Sequence, residues 1–107
     1  MRCLLFIELQ GFSKRRQVLL PDDEFRAFQE ILINDPEAGD TISGTGGFRK
    51  IRWSRPGTGK RGGVRVIYYN LTIKGRIYLA LIYPKNEQDG LSQEQKKILR
   101  QVAELLN

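Results

Sequence analysis

The sequence predicts an α+β fold in which helices pack on one face of a small, twisted and mainly antiparallel sheet, in the order β-α-α-β-β-β-α. Three strand-like segments follow one another between positions 48 and 83. Consecutive strands with short connections usually pair antiparallel. Patterns with helical spacing precede and follow this block. Because 107 residues can bury one hydrophobic core but not two, we expect a single domain over residues 1–107.

The first third of the chain is predicted to hold one strand and two helices. Cys3–Leu9 is rich in apolar and β-favouring residues, which indicates a strand. A short helix over Ser13–Val18 should follow. The acidic residues at positions 22–24 are typical of a helix start, as a cap and as first-turn negative charge, and predict a second helix that reaches about Asn34. Its apolar residues have helical spacing and should face inward: Phe25, Phe28, Ile31 and Leu32.

The apolar run at Cys3 also bears on location. Cys3 is the one cysteine of the chain, so it cannot form an internal disulfide, and a buried position is expected for it. The run is too short to span a bilayer, and the small-residue cleavage pattern of a signal peptide does not follow it. We therefore expect a cytoplasmic protein with no membrane contact.

The first strand of the central block is the most informative short segment. Phe48–Trp53 alternates, so Ile51 and Trp53 should lie on one face of the sheet and Lys50 and Arg52 on the other. A glycine-rich turn precedes this strand, where positive φ angles are expected at its glycines. These are Gly44, Gly46 and Gly47.

Two further strands and a helix complete the prediction. After a long cationic connection over 54–63, Val64–Asn70 is β-branched and aromatic, and Arg76–Tyr83 is apolar on both faces, as a strand covered on both sides would be. Ser92 and Gln95 have the spacing of a capping box and predict the start of a last helix. One stripe of this helix should be apolar: Ile98, Leu99, Val102, Leu105 and Leu106.

The charge distribution points to a polyanion as partner. The net charge is +6, yet residues 41–86 contain no Asp or Glu, whereas the rest of the chain has eight basic and twelve acidic residues. A basic surface of this kind binds phosphates, because each neutralised phosphate releases counterions. The ten cations of the segment are Arg49, Lys50, Arg52, Arg55, Lys60, Arg61, Arg65, Lys74, Arg76 and Lys85.

Several catalytic chemistries are disfavoured by the composition. The chain has no histidine, which excludes Ser-His and Cys-His nucleophilic systems and the usual two-His metal sites. Carboxylates that hold Mg²⁺ should lie near a phosphate-binding surface, and the segment 41–86 has none. The glycine-rich stretch 57–63 lacks the Lys-Ser/Thr pair of a P-loop. We therefore expect no metal and no cofactor.

RNA cleavage by transesterification is compatible with these residues, because the 2′-hydroxyl of the substrate is the nucleophile. The reaction needs a base, cations for the charge on the phosphorane, and an acid for the departing oxygen. A lysine among arginines can act as the base, since like charges disfavour its charged form, and Lys50 beside Arg52 fits this requirement. Arg52 and Arg65 on adjacent strands would be unfavourable neighbours unless an anion lies between them.

Three stretches carry a resemblance to a known family: Gly44–Trp53, Gly59–Tyr69 and Ile82–Glu87. In this order they resemble the signature of HigB-type toxins of the RelE/ParE superfamily. The similarity covers roughly residues 20–100 and includes Asn34–Asp40, where Asp35 is an insertion relative to the family's pattern.

The resemblance implies a RelE-like fold and a ribosome-dependent mRNA interferase of a type II toxin–antitoxin module. Such a toxin cleaves message in the ribosomal A site by metal-independent 2′-OH transesterification and thereby inhibits translation. The implied partners are the ribosome, mRNA and a cognate antitoxin with a helix-turn-helix domain. Operator DNA would be contacted only through that antitoxin.

Catalytic residues carried over by motif are Lys50 and Arg52 on the second strand, Arg65 on the third, and Lys85 after the fourth. The resemblance implies that Lys50 is the leading base candidate and that Arg52 and Arg65 stabilise the phosphorane. Lys85 would bind or protonate near the leaving oxygen.

The chain departs from the family near its end, because RelE has a further Arg and a C-terminal Tyr in its site where this sequence has Asn86 and Leu91. Beyond the catalytic set, we expect RNA or ribosome contacts from six residues: Arg49, Arg55, Lys60, Arg61, Tyr68 and Tyr83.

Two alternatives stay open at this point. The ParE branch shares the fold and poisons DNA gyrase without cutting RNA, which would not require the cluster of Lys50, Arg52 and Arg65. A non-catalytic RNA-binding module is the other alternative, and it should bind RNA with strong salt dependence and leave it intact.

Overall fold

The computed structural model describes residues 4–54, 63–88 and 90–107. These residues form five strands, three α-helices and one short 3₁₀ turn. In chain order they are β1 (Leu5–Glu8), α1 (Phe12–Leu19), α2 (Asp22–Asn34), β2 (Asp40–Thr41), β3 (Phe48–Trp53), β4 (Val64–Leu71), the 3₁₀ turn (Thr72–Lys74), β5 (Arg76–Pro84) and α3 (Gln93–Leu106).

The strands form one sheet in the order β1-β5-β4-β3-β2. The pairs β2–β3, β3–β4 and β4–β5 are antiparallel, and only β1 joins β5 in parallel among the described strands. The predicted α+β class with a mainly antiparallel sheet is therefore confirmed. The two-residue strand β2 was not predicted, because two residues are too few to show an alternating pattern.

Helices cover both faces of the sheet, so the prediction that they pack on one face is wrong. One hydrophobic cluster joins α1 and α2 to the sheet through residues such as Phe12, Phe28 and Leu79. A second cluster lies on the opposite face, where Leu99 and Ala103 of α3 pack on the sheet. The reason is visible in β5, which is apolar on both faces and so has two surfaces to bury.

The predicted helices are present with small differences. α2 begins after Pro21, which cannot cap it with a side-chain hydrogen bond, so the acidic residues 22–24 supply first-turn charge and no cap. Ile31 is 41% exposed instead of buried, and Ile98 and Leu105 of α3 are also exposed. Each helix therefore buries only part of its apolar stripe against the sheet.

The capping box at the start of α3 is confirmed. The Ser92 hydroxyl accepts a hydrogen bond from the Gln95 backbone N–H, and the Gln95 side chain accepts one from the Ser92 N–H. The turn glycines Gly44, Gly46 and Gly47 all have positive φ, as predicted. None of the helices in the described ranges is long and apolar enough to cross a membrane.

Candidate anion-binding site

Three polar side chains are aligned across the three central strands of the sheet, near one end of each strand. Arg52 of β3 lies directly opposite Arg65 of β4, and Arg65 lies directly opposite Tyr83 of β5. Directly opposed residues of neighbouring strands project from the same face of a sheet. We call Arg52, Arg65 and Tyr83 the cross-strand row. Tyr83 belongs to the hydrophobic cluster of α3, so the row lies on the face that α3 covers.

A β-bulge brings Tyr83 to this face. The register between β4 and β5 changes from Ile67–Leu81 to Tyr68–Leu79, which leaves Ala80 as an extra residue on β5. Without the extra residue, strict alternation would place Tyr83 on the same face as Leu79, under α1 and α2. Bulges often redirect a side chain next to a functional site. Here the bulge puts a tyrosine hydroxyl on the same face as the Arg65 guanidinium.

Arg65 and Tyr83 each have a buried polar atom without a hydrogen-bond partner among the described residues. Arg65 is 9% exposed and its Nη1 is unpartnered, and Tyr83 is 2% exposed and its Oη is unpartnered. A buried polar group left unpaired costs about 1–3 kcal/mol. Burial raises the pKa of Tyr83, and the positive charge of Arg65 partly opposes this shift. The hydroxyl is therefore protonated at neutral pH, and the pair offers N–H and O–H donors to an anion.

The neighbouring cations are not neutralised by carboxylates of the described residues. In the described part of the chain the ion pairs are Arg15–Glu87, Arg16–Asp22 and Arg49–Glu37, and none includes Lys50, Arg52, Arg65 or Lys85. An anionic ligand is therefore free to bind these side chains without displacing an internal carboxylate.

Lys50 lies next to the row on β3 and projects to the same face, since it is two residues from Arg52 and opposite Ile67. Its other neighbour is Asp40 of β2, which lies directly opposite it. Asp40 was not among the predicted site residues. Asp40 immediately precedes residues 41–86, which contain no Asp or Glu. Only the pairing of β2 with β3 brings its carboxylate beside Lys50. Within the described residues it forms no ion pair with Lys50.

Lys85 follows the end of β5 and is exposed. Its backbone N–H donates to the carbonyl of Gly63 at 3.2 Å. Because the next pair along the strands is Val64–Pro84, Lys85 lies two residues beyond Tyr83 at the same end of the sheet. Arg52, Arg65 and Lys85 thus lie at one end of β3, β4 and β5, and Lys50 lies two residues further into β3.

Two predicted RNA-contacting residues lie elsewhere. Arg49 and Tyr68 face each other across β3 and β4, and Tyr68 belongs to the cluster under α1 and α2. The Arg49 Nη1 donates to the carbonyls of Gly39 at 2.7 Å and Glu37 at 3.3 Å. The Tyr68 ring is fully buried, and its hydroxyl donates to the Pro36 carbonyl at 2.9 Å. Both side chains hold residues 36–39 in place, and we do not include them in the candidate site.

The predictions for three RNA-contacting residues and for the cysteine concern positions outside the described residues. Arg55, Lys60 and Arg61 lie in the segment 55–62, and Cys3 lies in the segment 1–3.

No family model matches the chain. Its fold is similar to a solved structure of a double arginine-to-alanine mutant of the E. coli toxin RelE in the free state, with a TM-score of 0.60. The sequence identity is 12%, and the alignment covers 94% of this chain and 98% of that chain. The chain therefore has a RelE-like fold over nearly its whole length.

Proposed function

We propose that this chain is the toxin of a type II toxin–antitoxin module and that it cleaves mRNA in the ribosomal A site without a metal ion. The observation that carries the proposal is the pair of buried donors on Arg65 and Tyr83, which have no hydrogen-bond partner among the described residues. These donors lie in a row with Arg52 and beside Lys50, on a fold shared with a RelE toxin. A phosphate with two free oxygens is a suitable acceptor for both donors.

In the proposed reaction, Lys50 accepts the proton of the substrate 2′-hydroxyl. The 2′-oxygen forms a bond to the adjacent phosphorus, and the bond from phosphorus to the 5′-oxygen breaks. Arg52 and Arg65 stabilise the negative charge that develops on the non-bridging oxygens, because both remain protonated throughout. Lys85 gives its proton to the departing 5′-oxygen. The products are a 2′,3′-cyclic phosphate and a 5′-hydroxyl.

Tyr83 has a supporting role in this scheme. Its hydroxyl is neutral at physiological pH, since the ordinary tyrosine pKa of 10.0 already lies well above neutrality and burial raises the pKa of Tyr83 further. It therefore donates a hydrogen bond to the phosphate and does not add negative charge to the site. The buried ring cannot stack on a base in this conformation, so the contact that we propose between Tyr83 and RNA is made by its hydroxyl.

The ribosome is proposed to supply the alignment of the reacting atoms. The described residues carry no histidine and bring one carboxylate, Asp40, alongside the cations. Positioning of the reactants alone can lower a barrier by about 7–11 kcal/mol. We therefore expect rapid cleavage on the ribosome and negligible cleavage of free RNA. A cognate antitoxin with a helix-turn-helix domain would restrain this activity in the cell.

The test compares cleavage of a labelled message in two arms, one with free RNA in EDTA and one on programmed ribosomes that keep their structural Mg²⁺. We expect cuts only on the ribosome, with 2′,3′-cyclic phosphate and 5′-hydroxyl ends. Arg65→Gln should reduce the rate by about 10²–10³-fold. Arg76→Gln is the matched control, because Arg76 begins β5 at the opposite end of the sheet, about 20 Å from Tyr83 at 3.3 Å per residue.

Other outcomes would contradict the proposal. Equal cutting of free RNA or 5′-phosphate ends would exclude the mechanism. RNA that is bound but stays uncleaved in both arms would indicate a non-catalytic RNA-binding module. Absence of cleavage together with trapped gyrase–DNA complexes in cells would indicate a ParE-like gyrase poison.

A further inference from the structure

A polar cavity of about 370 Å³ lies between α3 and the turn that precedes β3. We call it the α3 cavity. Three of its lining side chains are cations and none is a carboxylate. A Cβ atom added to Gly44 would meet nothing within 4 Å, so the turn leaves the cavity open on this side. The lining residues are Ser43, Gly44, Gln93, Lys96, Lys97 and Arg100.

The three cations are close neighbours on the helix surface. Lys96 and Arg100 are four residues apart, and Lys97 and Arg100 are three apart, which places like charges side by side on one helix face. Such pairs destabilise a helix unless an anion lies between them. Glu94 and Glu104 of the same helix form no ion pair with these cations within the described ranges. The positive charge of the α3 cavity is therefore available to a ligand.

The α3 cavity and the cross-strand row share one face of the sheet. Gly46, in the turn that lines the cavity, lies against α3, since a Cβ added to it would be 3.0 Å from the Ala103 Cβ. β3 starts two residues later at Phe48 and reaches the row at Arg52. Four residues of strand span about 13 Å at 3.3 Å per residue. Lys50 lies between the two sites on the same face of β3, so one further cation is placed along the path.

We infer that the α3 cavity is a second phosphate-binding subsite, which holds a backbone phosphate of the same single-stranded RNA whose scissile phosphate lies at Arg65 and Tyr83. The inference rests on the proposed function for the position of the scissile phosphate. Lysine ammonium groups bind a phosphate as point charges, and Ser43 and Gln93 add hydrogen-bond donors. These groups carry no pattern that selects a base. The subsite therefore sets the register and affinity of the RNA and takes no part in the chemistry.

The test measures binding of the isolated protein to non-cleavable 2′-O-methyl RNA of three and of eight nucleotides, over a range of salt concentrations. In the double variant Lys96→Gln/Arg100→Gln, we expect weaker binding of the eight-nucleotide RNA. The slope of log K against log salt should become less steep by about 0.7 for each phosphate that the variant no longer neutralises. Binding of the three-nucleotide RNA, which occupies only the cross-strand row, should be unchanged.

The matched control is Lys14→Gln/Arg26→Gln, which removes one exposed Lys and one exposed Arg from α1 and α2 on the opposite face. It changes the net charge equally and should leave both affinities unchanged. Far-UV spectra and melting curves verify that each variant is folded.

Three results would overturn the inference. An unchanged salt slope for the eight-nucleotide RNA would show that the α3 cavity holds no phosphate of that strand. An equal loss of affinity for both RNAs would show that it is no separate subsite. Loss of ribosome binding with unchanged oligonucleotide binding would assign the cavity to ribosomal RNA. Because this assay involves no cleavage, failure of the proposed nuclease activity is detected separately, on the ribosome.

Discussion

Tyr68 and Gly39 are joined by a buried hydrogen bond, in which the Gly39 backbone N–H donates to the tyrosine hydroxyl at 2.9 Å. The same hydroxyl donates to the carbonyl of Pro36. Burial raises the pKa of Tyr68, so the hydroxyl keeps the proton that it donates. These hydrogen bonds fix the position of residues 36–39, which lead into β2, and so keep Asp40 opposite Lys50. A tyrosine that was predicted to contact RNA thus supports the edge of the site from the opposite face.

Tyr68→Phe is expected to lower the free energy of unfolding by about 1–3 kcal/mol, because it leaves the buried Gly39 N–H without its acceptor. Chemical denaturation measures this change. RNA binding of the folded variant should be unchanged. A variant with full stability and reduced RNA affinity would instead place Tyr68 in the binding site.

Gly39→Ala is expected to destabilise the same region. An added Cβ would lie 2.8 Å from the Lys50 carbonyl oxygen and 2.9 Å from a Tyr68 ring carbon, so the backbone must move. Overpacking of this kind costs about 1–3 kcal/mol, which thermal unfolding would report as a lower Tm. Gly90→Ala is the control, since a Cβ there meets nothing within 4 Å. Equal Tm values for the two variants would contradict the close approach.

Arg65→Met is expected to raise the free energy of unfolding by about 1–2 kcal/mol and to reduce cleavage as strongly as Arg65→Gln. It removes from a group of cations a buried donor that has no partner among the described residues. Sulfate should stabilise the wild-type protein more than the variant, by a free energy that grows with the logarithm of the sulfate concentration above its Kd for the anion site. Urea unfolding with and without sulfate measures both effects. A strongly destabilised Arg65→Met protein would show that the guanidinium is held by the protein itself and not reserved for a ligand.

Tyr83→Phe is expected to reduce cleavage and to change the response to alkaline pH. Burial raises the pKa of Tyr83 above its ordinary value of 10.0, so its contribution to stability is present below pH 10 and is lost as the pH rises toward the folded pKa. The wild type should therefore lose stability more steeply than the variant above pH 10. In an absorbance titration, the variant should also lack the one tyrosinate transition that Tyr83 gives at high pH in the wild type. An identical alkaline profile in the two proteins would contradict a buried hydroxyl.

Glu87→Gln should weaken the link between α1 and the turn after β5. Arg15 donates two hydrogen bonds to Glu87, at 2.6 and 3.0 Å, and these bonds hold the pKa of the carboxyl below its ordinary value of 4.5. A lowered folded pKa means that the contribution is present above pH 4.5 and is lost as the pH falls through the folded pKa. The stability difference between wild type and variant should therefore shrink on acidification. A difference that stays constant from pH 7 to pH 3 would rule out this pair as its source.

Local patterns in the sequence determined much of the fold and one half of the candidate site. Helical spacing and the capping box located α2 and α3, and strict alternation in β3 put Lys50 and Arg52 on one face and Ile51 on the other. These features depend on neighbours a few residues away, so they can be recognised without knowing which strands pair.

Contacts between distant parts of the chain decided the rest. The bulge at Ala80 turned Tyr83 toward Arg65, pairing with the two-residue β2 brought Asp40 beside Lys50, and burial of both faces of β5 placed α3 opposite the other helices. Arg49 and Tyr68 look like RNA ligands by residue type, yet backbone groups from residues 36–39 satisfy them. Register, bulges and hydrogen-bond partners come from long-range strand pairing, and a one-residue shift moves a side chain to the other face of the sheet. The composition of β5, which is apolar on both faces, is compatible with either register, and only the packed tertiary structure selects one.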